Sequence, residues 1–203
     1  MAITGKKGAS EDMSAQIHFD HLEQIRELNR EFLGVLQSRV RMQRDCLGLP
    51  PAAASVLCDA GGGLLDEVAR FPRALFQIDC AGAARADAEP SSTAELDPHR
   101  HHLTLQILWT VRHTSRHSPY QARVLFNLDG DQVTHGASLT LPEIERLAGQ
   151  PNVLRCAFRA RSWLWPKLLT DVRPESRRHL SLIALQPGLT REWPRRRAPQ
   201  PVH

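Results

Sequence analysis

The amino-acid sequence predicts a mainly α-helical fold in which two similar halves pack together as an internal pseudo-dimer, and it allows a short strand after each half. Aromatic residues make up only 5% of the 203 residues, so aliphatic side chains must fill the core, which favours packed helices. Apolar residues recur at three- and four-residue spacings over long stretches, as they do in amphipathic helices. One pattern also occurs twice, at 63–80 and 138–156: an acidic-headed apolar helix, a break containing proline, and an apolar run ending in cysteine.

The first half is predicted to occupy residues 13–80, after a polar and disordered N-terminus at 1–12. A long helix is expected over 13–44, because its apolar residues form one stripe at Ile17, Leu22, Ile25, Leu28, Phe32, Leu36 and Val40. Two short helices should follow: one begins after the paired prolines of "LGLPP", and the other spans 64–71. The apolar run that comes next, "ALFQIDC", is either a strand or the start of a helix.

A linker rich in alanine, proline, serine and charge is predicted at 81–102, where no periodicity is found. The second half then covers residues 103–172 and opens with a helix over 103–117. Pro119 begins the next helical segment, and residues 129–137, "DGDQVTHGA", are predicted to form a turn. A basic C-terminal tail is expected from 173 to 203.

The repeated unit of the second half has clear helix signals. Thr140 and Glu143 have the spacing of a capping box, in which each side chain binds the backbone N–H of the other residue. Pro142 falls in the first turn, where a missing N–H costs nothing, and Gly149 ends the helix. Aligning the two copies pairs Val68 with Ile144, Phe71 with Leu147 and, after a shift of about two residues, Leu75–Phe76 with Val153–Leu154.

Parts of both halves resemble the FlhD family, the D subunit of the bacterial flagellar master regulator. The resemblance rests on "IRELNREFLGVLQSRV" in the first half and on "ARVLFNL" and "LTLPEIERLAGQPNVLRCAFR" in the second, and it covers roughly 22–80 and 103–159. FlhD-family proteins are all-α homodimers that assemble with an FlhC subunit into a DNA-binding transcriptional activator. The resemblance implies a tandem duplication that folds as a pseudo-dimer, and a non-enzymatic regulator that acts through protein partners such as an FlhC-like subunit.

Nucleic-acid binding is predicted for the tail. The chain carries a net charge of +4 at pH 7, and residues 173–203 hold seven arginines and two acids, so the remainder is close to neutral. Arginines favour phosphate, and a tryptophan among them can stack on bases. The candidate DNA-binding residues are Arg191, Trp193, Arg195, Arg196 and Arg197, and the alternative for this tail is a solubilising disordered end.

A protein-binding surface is predicted where two tryptophans interrupt an amphipathic stretch, "AFRARSWLWPKLL". If the chain is instead an accessory factor or chaperone of a secretion or motility system, this stretch is its expected contact surface. The candidate residues are Phe158, Trp163, Trp165 and Leu168.

Enzymatic chemistry is not expected, and no cofactor is predicted. Cys80 and Cys156 end apolar runs, where burial raises the pKa of a thiol and makes it unreactive. His113 and His117, four residues apart on a helix, could share one metal ion, which makes a His-dependent metalloprotein the third hypothesis, although "HTSRH" lacks the glutamate of HExxH. The N-terminus has no apolar core and no apolar run reaches 18 residues, so a cytoplasmic protein without membrane segments is expected.

Overall fold

The computed structural model describes residues 8–80, 97–159, 161–171 and 174–185, and within them the chain is mainly helical, as predicted. The first half contains α1 (Gly8–Arg41), α2 (Pro51–Asp59), α3 (Gly62–Ala69) and β1 (Phe76–Ile78). The second half contains α4 (Pro98–His117), α5 (Pro119–Phe126), α6 (Gly130–Ser138), α7 (Leu141–Ala148) and β2 (Leu154–Cys156). Two further helices follow, α8 (Leu164–Thr170) and α9 (Pro174–Leu185).

Helix α1 follows the predicted stripe and buries one face completely, with Phe32, Leu33 and Leu36 at 0% exposure. It begins at Gly8, so residues 8–12 belong to the helix and are not disordered, whereas 1–7 lie outside the described residues. After Arg41 the backbone turns back through three residues at positive φ, of which Gly48 (φ 81°) tolerates this conformation best.

The predicted turn at 129–137 is wrong, because these residues form helix α6. A capping box starts it: the Gln132 N–H donates to Asp129 Oδ1 at 2.9 Å, and the Asp129 N–H donates to Gln132 Oε1 at 2.9 Å. Aspartate followed three residues later by glutamine is an N-terminal helix signal that outweighs the two glycines. The predicted box of α7 is confirmed, and the Thr140 N–H donates to Glu143 Oε2 at 2.7 Å.

The linker and the tail are both shorter than predicted. Residues 81–96 lie outside the described residues, and α4 already begins at Pro98 because the Asp97 carboxylate accepts the Arg100 N–H and caps the first turn. The start of the tail is the helix α9, which packs on α8 and buries Leu180 at 5% exposure. Residues 186–203 lie outside the described part of the chain.

The halves share one hydrophobic core within the described residues. Helix α1 packs on α2 and α3, helix α4 packs on α5, α6 and α7, and the two long helices contact each other. Helix α8 crosses back to lie on α2 and α3 of the first half. The core is therefore continuous between the halves and cannot be divided into two independent domains.

The two apolar runs of the repeat form strands that pair with each other. β1 and β2 are antiparallel, with Gln77 opposite Arg155 at the centre of the register. The Asp79 N–H donates to the Val153 carbonyl at 3.0 Å, and the Ala157 N–H donates to Leu75 at 2.9 Å, which extends the ladder at both ends. The strand alternative for 74–80 is therefore the correct one.

The element bounds give a better alignment of the two copies than the sequence does. Helices α2 and α6 have nine residues each, α3 and α7 have eight, and two residues separate the helices in both pairs. By these bounds Val68 corresponds to Leu147, three residues from the predicted Ile144. A slip of three residues is nearly one helical turn and preserves the apolar face, so the sequence pattern does not reveal it. The strand bounds agree with the predicted match of Leu75–Phe76 to Val153–Leu154.

Candidate functional site

The predicted protein-binding surface is buried for three of its four residues. Phe158, Trp165 and Leu168 are 5%, 0% and 2% exposed, because α8 turns its apolar face onto α2 and α3. The Trp165 indole N–H donates to the Ala157 carbonyl at 2.8 Å, which satisfies its polar atom inside the core. The prediction is wrong for these three residues. Trp163 is 43% exposed, with the Lys167 ammonium 5.3 Å from its ring centroid, and it stays a candidate contact.

The predicted DNA-binding residues Arg191, Trp193, Arg195, Arg196 and Arg197 all lie outside the described residues. Their role in nucleic-acid binding stays a prediction. The arginines that the structure does describe are largely engaged with the protein itself. Arg112 and Arg116, for example, donate through Nε to the carbonyls of Leu139 and Ala137 at 2.7 and 2.6 Å.

The His113–His117 pair is in contact, but it is not part of a larger ligand set. The two rings lie 4.2 Å apart, and His117 Nδ1 is 2.9 Å from the His113 carbonyl oxygen. In the described ranges, no group of three or more His, Cys, Asp or Glu side chains could hold a metal ion. Two histidines supply half of the ligands that a structural zinc site uses.

The cysteines of the repeated pattern belong to the core. Cys80 and Cys156 are fully buried, and burial raises the pKa of the Cys80 thiol to about 12. Burial also raises the pKa of Cys156, whose thiol lies 3.7 Å from the Cys46 carbonyl oxygen. Both thiols therefore stay protonated at neutral pH, as predicted for inert cysteines.

Helix α4 presents an exposed face of unusual composition. Its twenty residues contain five histidines and three arginines but no Asp or Glu. Five exposed side chains lie at spacings that place them along one side of the helix: His99, His102, Trp109, His113 and His117. Sequence reasoning treated the histidines as a solvated surface, although the recurrence of His and Trp at helical spacing was visible.

Trp109 is the large apolar side chain on this face. It is 41% exposed, and the Arg112 guanidinium lies 5.1 Å from its ring centroid. Because the Nε of Arg112 is bound to the Leu139 carbonyl, the guanidinium is fixed against the ring. The indole is therefore held in place while much of its surface faces solvent.

The adjacent face of α1 has the opposite chemistry. Arg26 and Arg30 pair with Glu23 and Asp66 at 3.1 and 2.9 Å. Glu27 and Glu31 make no ion pair within the described residues, so this face carries uncompensated negative charge.

A cleft of about 490 Å³ separates these two faces. Its wall on α1 includes Glu31, Gly34 and Ser38, and its wall on α4 includes His99, His102 and Leu103. A Cβ added to Gly34 would meet no atom within 4 Å, so the absence of a side chain at Gly34 keeps this part of the cleft open.

Asp97 stands at the end of this cleft and joins the two long helices. Its carboxylate lies 3.1 Å from the Arg39 guanidinium, with the side chains 17% and 13% exposed. Burial alone would raise the pKa of Asp97, but the hydrogen bonds from the Arg100 N–H and the Arg39 guanidinium, together with the charge of Arg39, lower it below its ordinary value.

The lowered pKa predicts an acid-sensitive contribution to stability. The folded state binds the Asp97 proton less readily than the unfolded chain does, so this contribution is complete above the ordinary carboxyl range and is lost as the pH falls through the lowered pKa. Asp97→Asn, which retains a capping side chain, should lower the unfolding free energy at pH 7 by about 1 kcal/mol. Urea titrations at pH 7 and pH 3 should show this difference shrinking in acid; an equal difference at both pH values would contradict the account.

No family model, curated protein or solved structure matches the chain. The resemblance to the FlhD family therefore stays a prediction, carried by the motifs quoted above. In the described part of the chain, no helix combines the length and apolar character needed to cross a membrane. The functional argument consequently rests on the fold, the relation between its halves and the surfaces that they expose.

Proposed function

We propose that this protein is a non-enzymatic regulator of the FlhD type, built as an internally duplicated pseudo-dimer and acting through protein partners such as an FlhC-like subunit. The observation that carries the proposal is a set of hydrogen bonds that recurs in both halves at corresponding residues. Such a correspondence supports an origin from two copies of one homodimer-forming unit.

The first recurring bond joins each long helix to the loop after its nine-residue helix. Gln37 Nε2 donates to the Ala60 carbonyl at 2.8 Å, and Arg112 Nε donates to the Leu139 carbonyl at 2.7 Å. The donors are 75 residues apart and the acceptors 79 apart, and 79 is also the shift that relates α2 to α6 and α3 to α7.

The second recurring bond lies one turn further along each long helix. Arg41 Nη2 donates to the Cys58 carbonyl at 3.1 Å, and Arg116 Nε donates to the Ala137 carbonyl at 2.6 Å. The same two shifts apply. With the shift of 75, the buried positions of α1 also recur on α4: Leu28, Asn29, Phe32, Leu33 and Leu36 become Leu103, Thr104, Ile107, Leu108 and Val111.

The contacts between the halves are also reciprocal. The segment after α1 supplies the Leu47 carbonyl, which accepts the N–H of Cys156 in β2 at 2.8 Å. The segment after α4 supplies the Leu125 carbonyl, which accepts the Ala74 N–H beside β1 at 2.8 Å. Together with the antiparallel pairing of β1 and β2, these exchanges are what an isologous dimer interface provides when both subunits lie on one chain.

The alternative of a pure accessory factor keeps one specific observation in its favour. Trp163 is 43% exposed beside Lys167, and an exposed tryptophan supported by a cation is a common anchor for a protein partner. This alternative predicts partners from a secretion or motility system and no contact with DNA.

Affinity capture of the full-length protein from its source cells, followed by identification of what is bound, tests the proposed function. A transcription-factor subunit of the FlhC kind is the expected partner, and DNA bound through Arg191–Arg197 should be lost in a variant truncated after residue 189. Recovery of only secretion or motility components, with no DNA at low salt, would contradict the proposal and favour the accessory factor.

A further inference from the structure

We propose that the paired faces of α1 and α4 bind a second copy of this chain, with Trp109 of each copy seated at the Gly34 cleft of the other. Such a dimer would form between two complete pseudo-dimers. The inference uses the exposed chemistry of α1 and α4 and does not depend on the assignment to the FlhD type.

The exposed indole and the open cleft occupy corresponding positions of the two halves. With the shift of 75 that relates α1 to α4, Trp109 corresponds to Gly34. One long helix therefore carries a projecting aromatic side chain where the other carries none. Tryptophan is the side chain most enriched among interface residues that dominate binding, and this one is held in place by Arg112 before any partner arrives.

The cleft suits an indole in size and lining. Its volume of about 490 Å³ exceeds that of one indole side chain, and Val35 and Leu103 give it apolar surface. His99 and His102 on the opposite wall offer imidazole rings for stacking and for hydrogen bonding to the indole N–H. A side chain entering beside Gly34 would meet no Cβ.

The charges of the two faces favour a second copy over an unrelated partner. Glu27 and Glu31 give α1 unpaired negative charge, whereas the α4 face has histidines and arginines without any acid. Both faces border the same cleft, so they lie on one side of the molecule. A two-fold axis along the helices would place each α1 opposite the α4 of the other copy, and the opposite charges would then meet twice.

Light scattering and sedimentation of the full-length protein from about 1 to 100 µM, a range that spans a typical weak dimer, test the proposal. Wild type should dimerise within this range. Trp109→Ala and Gly34→Trp, which fills the cleft, should each raise the dimer Kd by about 30-fold, as expected for loss of one dominant contact. Both variants should unfold at the wild-type temperature within a few degrees, because neither side chain is buried in the core.

Trp163→Ala is the matched control, since Trp163 is equally exposed and equally covered by a cation but lies on α8. It should leave dimerisation unchanged. An equimolar mixture of Trp109→Ala and Gly34→Trp should dimerise better than either alone, because one intact Trp109–cleft contact returns. A monomeric wild type at 100 µM, or a Trp109→Ala variant that dimerises as wild type does, would overturn the proposal while leaving the pairing of the two halves within one chain unaffected.

Discussion

Asn29→Leu is expected to lower the free energy of unfolding by about 3 kcal/mol, because it removes every side-chain hydrogen bond from a fully buried site. The Asn29 amide donates to the carbonyls of Ala69, Phe71 and Arg73 at 3.3, 3.3 and 2.9 Å. Its carbonyl oxygen accepts the Leu75 N–H at 2.8 Å. One side chain of α1 therefore holds the loop that leads from α3 into β1, and leucine would leave those backbone groups buried and unpaired.

Thr104→Val is the matched control for this variant. Thr104 occupies the corresponding position of α4 and is equally buried, but its hydroxyl donates only to the Arg100 carbonyl of its own helix at 2.7 Å. Its replacement should cost about 1 kcal/mol or less. Urea unfolding followed by circular dichroism measures both effects, and a loss for Asn29→Leu no greater than that for Thr104→Val would refute the clamping role.

Trp165→Ala is expected to destabilise the fold by about 4 kcal/mol, since a completely buried tryptophan leaves a large cavity between α8 and the first half. The Ala157 carbonyl would also lose the indole N–H that it now accepts. For a helical protein of this size, a loss of this magnitude removes a large part of the total stability.

The neighbouring substitution Trp163→Ala should change stability by about 0.5 kcal/mol or less, because the ring is exposed. The two tryptophans are two residues apart, so the pair separates a core role from a surface role within one helix. Differential scanning calorimetry of both variants provides the comparison. Equal destabilisation by the two substitutions would contradict the orientation of α8 described above.

Much of the helical fold was predictable because its signals are local. The stripe of α1, the prolines at the start of α2 and the Thr140–Glu143 box each act within a few residues. Helix α6 was missed although its signal is equally local, because the glycines of "DGDQVTHGA" were given more weight than the Asp129–Gln132 capping box.

The surfaces were less predictable, because they depend on which elements meet. The pattern around Trp165 correctly indicated an apolar face, but it could not show that α2 and α3 cover that face. The relation of Trp109 to Gly34 depends on the shift of 75 between the long helices, which became visible only through the matched hydrogen bonds of Gln37 and Arg112. Sequence periodicity alone permits alignments that differ by a helical turn.

The reciprocal pairing of the two halves is the central claim, and a disulfide at its centre tests it most directly. Gln77 and Arg155 stand opposite each other in the ladder, and opposite residues of antiparallel strands have Cα separations that a disulfide can span. The variant Gln77→Cys/Arg155→Cys should form this disulfide almost completely under mild oxidation, as peptide mapping by mass spectrometry would show. The off-register control Gln77→Cys/Arg159→Cys should not. Efficient cross-linking of the control, or failure of the in-register pair in a folded protein, would contradict the pseudo-dimer.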